Sequence, residues 1–420
     1  MNAIRVFSVG APSVICLTAS LYGQFPREME AASPLTVQTR PAQRARGETL
    51  IFDGKVMPLG AGQASDPSLM NISGAWQMLF TTVKWVPSCA ASGNWVYQIR
   101  QTAASLPPGH MLSDAAWQMP SNGATYMEFV QPGPAGSWDQ DAIESPKIVT
   151  GYDPTAKSYV TRIYYTGWRR VPVSMDTNGC PNFGYSDWKI GMAEWNNTAR
   201  RWVKRTSPVL SAIQPWEQTH YVAPDGTRVA YGFLGDQSVV YVPAPNGAPG
   251  TWHLYYQAMS DLPSPRFVTV HALSSDGINW PAQNRSILPT NPPTPSGVLP
   301  GGPYSVDVSV INGRFYFVGW IPNTTDPSSQ GLWLTSSSTP GGTATGDFHA
   351  WVPLLYDNNG TWWHSADAVT LASHQAGLVA PTLLFEAGAL WLYYSGVRRE
   401  NDGSFWTSIG RAAVDLAALQ

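Results

Sequence analysis

Charged residues are scarce in this 420-residue chain: Asp, Glu, Lys and Arg make up 13%, and the net charge is −3. No run of basic residues occurs, which argues against nucleic acid or an anionic membrane as a partner. No segment keeps a helical period of apolar residues, so we expect few helices. The His residues show no ligand spacing and there are only three Cys, which argues against a metal site.

The N-terminal 47 residues predict export. Arg5 is the only early charge, residues 6–22 are small and apolar, and Glu28 is the first acidic residue. This pattern fits a signal peptide over 1–22 better than a membrane span, which needs about 20 apolar residues. A disordered start is the alternative. Residues 23–47 are typical of a linker, and we expect a secreted or periplasmic protein.

The cysteines agree with export. Cys16 lies inside the predicted signal, and its removal leaves Cys89 and Cys180, both in loops rich in Gly, Ser and Pro. An even pair of loop cysteines in a secreted protein indicates a disulfide. Two unrelated free thiols are the alternative.

Aromatic residues, in contrast, are plentiful at 12%, alongside 38 Gly and 36 Pro, a composition typical of all-β proteins. One sequence pattern recurs five times: a short segment that usually begins with an acidic residue and leads into an apolar strand, then a turn and an aromatic strand. The apolar strands begin at 66–70, 144–148, 236–240, 307–311 and 380–384. The aromatic strands follow at 76–80, 162–166, 252–256, 314–318 and 390–394.

Each copy continues into a third strand, and the first four copies then reach a Trp that is expected to begin a fourth: Trp117, Trp202, Trp280 and Trp351. Four antiparallel strands repeated roughly every 70–90 residues predict the blades of a β-propeller. The fifth copy ends without a fourth strand, which the apolar segment 48–52 can supply. We therefore predict one all-β domain over 48–420, a five-bladed β-propeller closed by its N-terminal strand. A six-bladed ring is the alternative if 281–300 or 352–376 hides a blade.

Four of the five starts carry an acid: Asp66, Glu144, Asp236 and Asp307. The first strand of each blade lines the channel of a propeller, so these acids are expected to converge at one mouth. Paired carboxyl groups suit glycoside hydrolysis, in which one protonates the leaving oxygen and the other activates water or attacks the sugar. The alternative is that each Asp only caps a turn.

Further residues near strand ends are candidates for binding a sugar. Trp138, Trp168 and Trp320 offer flat faces to sugar rings, and Arg398 could bind hydroxyl or acidic groups. Packing between blades is the alternative for each Trp, and a solvated loop position is the alternative for Arg398.

The pattern resembles the five-bladed propeller glycosidases of glycoside hydrolase families 43, 62 and 32. Asp66-Pro67-Ser68 resembles the first-blade segment whose Asp is the general base or nucleophile. The segment 142–146 resembles the second-blade segment with the acid that orients the proton donor, and 235–238 resembles the third-blade segment that carries the donor. The resemblance implies Asp66 as base or nucleophile, Glu144 as orienting acid, Asp236 as proton donor, and Asp307 as a sugar ligand.

The chain departs from that family pattern in two ways. The families have Asp in blade two and Glu in blade three, where this chain has Glu144 and Asp236. Glu144 also lies one residue out of register when Pro146 is matched with Pro67, which leaves Asp139 and Asp141 as alternatives.

We expect a monomeric glycosidase acting on a poly- or oligosaccharide. A carbohydrate-binding propeller without activity and a phosphate-dependent phosphorylase are the alternatives. No cofactor is expected to be required, although a structural cation in the channel is possible.

Overall fold

A computed structural model describes most of the chain from Ala42 onward. The described residues are 42–53, 64–72, 74–89, 94–119, 130–177, 179–245, 248–260, 266–288, 303–321, 329–341, 347–357, 377–399, 405–415 and 417. The predicted signal peptide lies outside them, as does most of the predicted linker. Within these residues the regular structure is β-strand with short 3₁₀ turns, and no helix is long and apolar enough to cross a membrane.

Five antiparallel blades follow chain order from the innermost strand outward, except that the N-terminal strand is outermost in the fifth, and one parallel pair, Ile99 with Ala142, joins blades one and two. Blade one contains β2 (Ser65–Ile72), β3 (Ala75–Cys89) and β4 (Asn94–Ser105). Blade two contains β5 (Ala142–Asp153), β6 (Ser158–Met175), β7 (Pro181–Asn196) and β8 (Arg201–Lys204). A separate hairpin, β9 (Gln218–Val222) and β10 (Arg228–Gly232), precedes blade three.

Blades three and four are also four-stranded. Blade three contains β11 (Leu234–Val242), β12 (Thr251–Ser260), β13 (Arg266–Ser274) and β14 (Arg285–Ile287). Blade four contains β15 (Tyr304–Ile311), β16 (Arg314–Ile321), β17 (Gly331–Ser337) and β18 (Val352–Tyr356). The five predicted apolar strands are therefore the innermost strands, and the five aromatic strands are their neighbours.

The N-terminal strand closes the ring, as predicted. β1 (Ala45–Phe52) pairs with β21 (Phe405–Val414), completing the sheet of β19 (Leu378–Glu386) and β20 (Ala389–Arg399). β19 contacts β2 of blade one, just as every other inner strand contacts the next. β1 starts at Ala45, slightly before the predicted domain boundary at residue 48.

Hydroxyl groups join neighbouring inner strands. Ser68 Oγ accepts from Ile148 N at 3.0 Å, and Ser238 Oγ accepts from Val308 N at 3.0 Å. Thr382 Oγ1 donates to the carbonyl of Pro67 at 2.8 Å, across the seam that closes the ring. These bonds satisfy backbone groups that face a neighbouring blade, where no ladder partner is available.

Aromatic side chains fill the space between blades. Trp168 stacks on Trp188 with ring centroids 5.5 Å apart, and Trp188 stacks on Phe233 at 4.4 Å. All three are buried, so this stack covers the step from blade two to blade three. The aromatic richness of the sequence thus serves mainly to pack one sheet against the next.

Candidate functional site

Each innermost strand contains a β-bulge at its start, and the bulge aims one side chain at the propeller axis. Strand pairing shifts register between Ser65 and Ser68, and the other four inner strands shift at the matching point. The residue after the last paired position has a left-handed backbone in every blade. These residues are Asp66, Ser145, Asp236, Ser305 and Ala380, with φ of 56°, 49°, 47°, 50° and 47°.

The left-handed backbone conformation costs roughly 1–2 kcal/mol for each residue that has a Cβ atom. Its recurrence in all five blades shows that the fold imposes it. The bulge turns the strand so that the five side chains meet at one point. They line a single open pocket with an empty volume of about 340 Å³.

Within the pocket, acids and hydroxyls alternate from blade to blade. Ser145 Oγ lies 3.4 Å from Asp66 Oδ2 and 3.3 Å from Asp236 Oδ1, so one hydroxyl bridges both carboxyl groups. Ser305 Oγ donates to Asp236 Oδ2 at 2.9 Å. The backbone N–H of Asp66 donates to Ser395 Oγ at 2.8 Å, which anchors blade one to blade five.

Burial and mutual repulsion raise the pKa of both pocket acids. Burial raises the pKa of Asp66 to about 6, and the charge of Asp236 adds to this, while hydrogen bonds with Thr81 and Ser145 offset part of it. The pKa of Asp236 is raised by burial and held back by hydrogen bonds from Ser305 and Ser145. Two carboxyl groups with raised pKa in one cleft are the usual mark of acid–base chemistry.

Glu144 lies behind this pair and does not line the pocket. It is buried, and its Oε1 accepts from Trp168 Nε1 at 2.7 Å. Burial, followed by the charge of Asp66, raises the pKa of Glu144 well above its usual range. The charge of Asp66 therefore acts on Glu144, which is not among the residues that line the pocket.

Asp307 does line the pocket, but at a different position of its strand. It follows the bulge and matches Ser68 and Ser238, whereas Ser305 is the residue that matches Asp66. Asp307 Oδ1 accepts from Ser238 Oγ at 2.7 Å and forms an ion pair with Lys147. Lys147 belongs to blade two and Asp307 to blade four, so the ion pair crosses the channel.

The predicted tryptophans lie outside the pocket. Trp168 is buried under Trp188 with its N–H bonded to Glu144. Trp320 is buried, and its N–H donates to Asp357 Oδ2 at 3.0 Å. These covered rings correct the expectation that both face a sugar.

Trp138 is half-buried, stacks on Tyr165 at 5.9 Å, and donates to the carbonyl of Thr206. Its ring therefore packs within blade two. The backbone of Arg398 pairs with Trp406 in blade five, and the Arg398 side chain lies outside what the structure describes.

Asp139 and Asp141, the alternatives to Glu144, serve blade two. Asp139 Oδ2 accepts from Tyr165 Oη at 3.1 Å and Lys204 Nζ at 2.7 Å. Asp141 Oδ2 accepts from the backbone N–H of Arg170 at 2.6 Å. Neither lines the pocket.

Three pocket residues escaped the sequence analysis: Ser145, Ser305 and Lys147. The signal for Ser145 was available, because matching Pro146 with Pro67 places Ser145 opposite Asp66. No comparable signal marks Ser305 or Lys147. Among the described residues, no group of three or more His, Cys, Asp or Glu is arranged to hold a metal ion.

Comparison with known proteins identifies the fold class. No protein-family model matches the chain, and no curated protein sequence matches it. Solved structures do. Zg3597, a family 117 glycoside hydrolase from Zobellia galactanivorans, is 11% identical with a TM-score of 0.50, over 90% of this chain and 92% of that one.

A structure described as a glycoside hydrolase is 12% identical with a TM-score of 0.50, over 86% of this chain and 90% of the other. The catalytic domain of a family 62 α-L-arabinofuranosidase from Coprinopsis cinerea is 11% identical with a TM-score of 0.49, over 89% and 98%. The chain thus shares the five-bladed propeller fold of glycoside hydrolases and is highly divergent from them in sequence.

Proposed function

We propose that this protein hydrolyses glycosidic bonds of a poly- or oligosaccharide, with Asp66 and Asp236 as its two catalytic carboxyl groups. One observation carries the proposal: both acids have raised pKa values, line the same open pocket, and lie within reach of one bridging hydroxyl. Glycoside hydrolysis needs one protonated and one ionised carboxyl group on either side of the bond. Like charges in a shared, buried site favour that mixed state.

The remaining pocket residues suit a neutral, hydroxylated ligand. Lys147 and Asp307 neutralise each other and leave donors and acceptors that can contact sugar hydroxyls. Glu144 is buried behind the pocket within electrostatic range of both acids, which fits the orienting role that the family resemblance implies.

The proposal is tested by assaying release of reducing sugar from arabinan, xylan and fructan panels. Wild type, Asp66→Asn, Asp236→Asn and Asp225→Asn are compared. Asp225 lies in an exposed turn, where it bonds Thr227 N at 2.9 Å, so its variant controls for the Asp-to-Asn change itself. We expect the wild type and Asp225→Asn to release sugar and the two pocket variants to lose most turnover. Full turnover in both pocket variants would remove these acids from the mechanism.

A phosphorylase is less well supported. Of the described residues lining the pocket, Lys147 alone carries a positive charge, and it is paired with Asp307. A phosphate ion would have to compete with that carboxylate. Turnover that requires added inorganic phosphate would favour the phosphorylase, and sugar binding by calorimetry without any product would favour a non-catalytic module.

We also propose that the chain is exported as a monomer with a Cys89–Cys180 bridge. Cys89 ends β3, and Cys180 immediately precedes β7, so both lie at the tips of long hairpins in adjacent blades. Mass spectrometry of the unreduced secreted protein should find the two peptides linked and the chain cleaved near residue 22. Size-exclusion chromatography with light scattering tests the monomer.

A further inference from the structure

The alternation of acid and hydroxyl across four blades restricts where a proton can reside. The order around the ring is Asp66, Ser145, Asp236, Ser305, with Ala380 ending the series in blade five. A serine hydroxyl has one proton, so Ser145 can donate to only one of its two acid neighbours at a time. The other acid interacts favourably with Ser145 only if that acid is protonated and donates to Oγ.

Two arrangements of one shared proton are then possible. In the first, Asp66 is protonated and donates to Ser145, Ser145 donates to Asp236, and Ser305 also donates to Asp236. In the second, Asp236 is protonated and Ser145 donates to Asp66, which also has side-chain hydrogen bonds with Thr81 and Ser65. In the first arrangement each oxygen of the Asp236 carboxylate accepts from a hydroxyl, whereas in the second the Asp66 carboxylate keeps a buried Oδ1 without a partner, which is the costlier arrangement.

The environments of the two acids point the same way. Asp66 is 4% exposed, and its Oδ1 is buried without a hydrogen-bond partner, whereas Asp236 is only half-buried. Ionising Asp66 therefore costs more solvation than ionising Asp236.

We propose that Ser145 is a positioning residue that couples the two acids, with the shared proton residing on Asp66 and the charge on Asp236. This rests on the proposed function and deepens it: Asp66 becomes the general acid and Asp236 the general base or nucleophile. The order is the reverse of the one implied by the family resemblance.

The backbone of Ser145 is held in a way that suits this role. Its N–H donates to Thr81 Oγ1 of blade one at 3.0 Å, and its carbonyl accepts from Gln237 Nε2 of blade three. Ser145 is thus fixed between the two blades that carry the acids. The other ionisable groups lining the pocket, Lys147 and Asp307, form their own ion pair and leave the Ser145 bridge undisturbed.

The test is a carboxyl titration by NMR on protein labelled with ¹³C at aspartate, without any substrate. The two resonances are identified by their loss in Asp66→Asn and Asp236→Asn. In the wild type, Asp66 should titrate near pH 6 and Asp236 at lower pH. If Asp236 titrates at the higher pH, the assignment of the proton is overturned.

Ser145→Ala tests the coupling itself. Ala380 already occupies the equivalent left-handed position, so alanine is compatible with the backbone there. Losing Ser145 removes an acceptor from protonated Asp66 and a donor to ionised Asp236, so the two midpoints should move toward each other, each by about one pH unit. Ser145→Gly, which has no Cβ, should behave in the same way. Unchanged midpoints in both variants would overturn the role of Ser145.

Ser305→Ala is the matched control. Ser305 contacts Asp236 and not Asp66, so only the Asp236 midpoint should rise. If Ser305→Ala moves both midpoints as Ser145→Ala does, loss of any pocket hydroxyl has this effect, and the coupling role of Ser145 is overturned.

A separate kinetic measurement tests the chemical roles on any substrate that the wild type cleaves. Asp66→Asn should turn over aryl glycosides, whose leaving groups need no protonation, nearly as fast as the wild type, although it is slow on natural linkages. Asp236→Asn should be slow on both kinds of substrate. The opposite pattern would restore the order of the family resemblance. Because the titration needs no turnover, it can succeed even if the proposed function fails.

Discussion

Blades one and three differ from blades two and four at the left-handed position of the same bulge. The backbone is left-handed at all four, but blades one and three carry Asp66 and Asp236, whereas blades two and four carry Ser145 and Ser305. Blade five has Ala380 and keeps the same conformation. The conformation therefore belongs to the fold, and the side chain placed on it determines the chemistry.

The largest expected effect separates the acids from the hydroxyls. Asp66→Asn or Asp236→Asn should lower turnover by about 10²–10⁴-fold, the usual contribution of general acid–base catalysis. Ser305→Ala should cost less, because it removes one hydrogen bond to an acid that remains in place. Initial rates on a cleaved glycan measure both. A Ser305→Ala loss as large as that of Asp236→Asn would erase the distinction.

The ion pair across the channel should be next in size. Lys147→Met leaves Asp307 buried without its cation and should lower the free energy of unfolding by about 3–5 kcal/mol. The double variant Lys147→Met/Asp307→Asn should recover most of this. Lys189→Met is the control, because its partner Asp187 is partly exposed and such pairs contribute about 1 kcal/mol or less. Denaturant unfolding measures all three, and equal losses for Lys147 and Lys189 would contradict the account.

Asp66 should also make stability depend on pH. Its pKa is about 6 in the folded protein against 3.8 for the unfolded group, so its ionisation opposes folding as the pH rises from about 4 through 6. Asp66→Asn removes this cost. The variant should therefore gain stability over the wild type by about 3 kcal/mol between pH 4 and pH 7. Asp225→Asn should lack such a gain, because hydrogen bonds from Thr227 lower the pKa of Asp225.

The smallest expected effect, a change in stability, concerns Ala380, the left-handed residue of blade five, which carries neither an acid nor a hydroxyl. Ala380→Gly should stabilise the protein by up to about 1 kcal/mol, since glycine adopts the left-handed backbone without strain. Ala412→Gly, within the extended β21, should instead destabilise by about 0.5–1 kcal/mol. Thermal unfolding compares the two, and a loss at residue 380 would show that its backbone is not strained.

Much of the fold could be predicted, because the spacing of the repeated strands and the aromatic composition of the sequence indicate propeller blades. The five apolar starts and five aromatic strands became the two inner strands of each blade, and 48–52 lies within the closing strand. The fourth strands were predicted less well. Trp117 precedes only a single bridge between Ser105 and Gln118, and β14 begins several residues after Trp280. The hairpin β9–β10 was not foreseen.

The site was harder to predict because a bulge breaks the simple alternation of strand residues. Asp66 and Asp236 come together because they occupy the same bulge position in their blades. Glu144 and Asp307 lie one residue before it and two residues after it, so their side chains take different directions. The repeated sequence pattern predicts the number of blades, but it does not indicate which residue at the beginning of each inner strand has the left-handed backbone.

The central claim is that residues 66 and 236 flank the bond to be cleaved. The most direct measurement is a crystal structure of Asp66→Asn bound to an oligosaccharide that the wild type cleaves. We predict a glycosidic oxygen in the pocket within hydrogen-bond distance of the substituted side chain at position 66, with Asp236 facing the adjoining sugar carbon. A sugar bound elsewhere on the propeller, with the pocket free of carbohydrate, would contradict it.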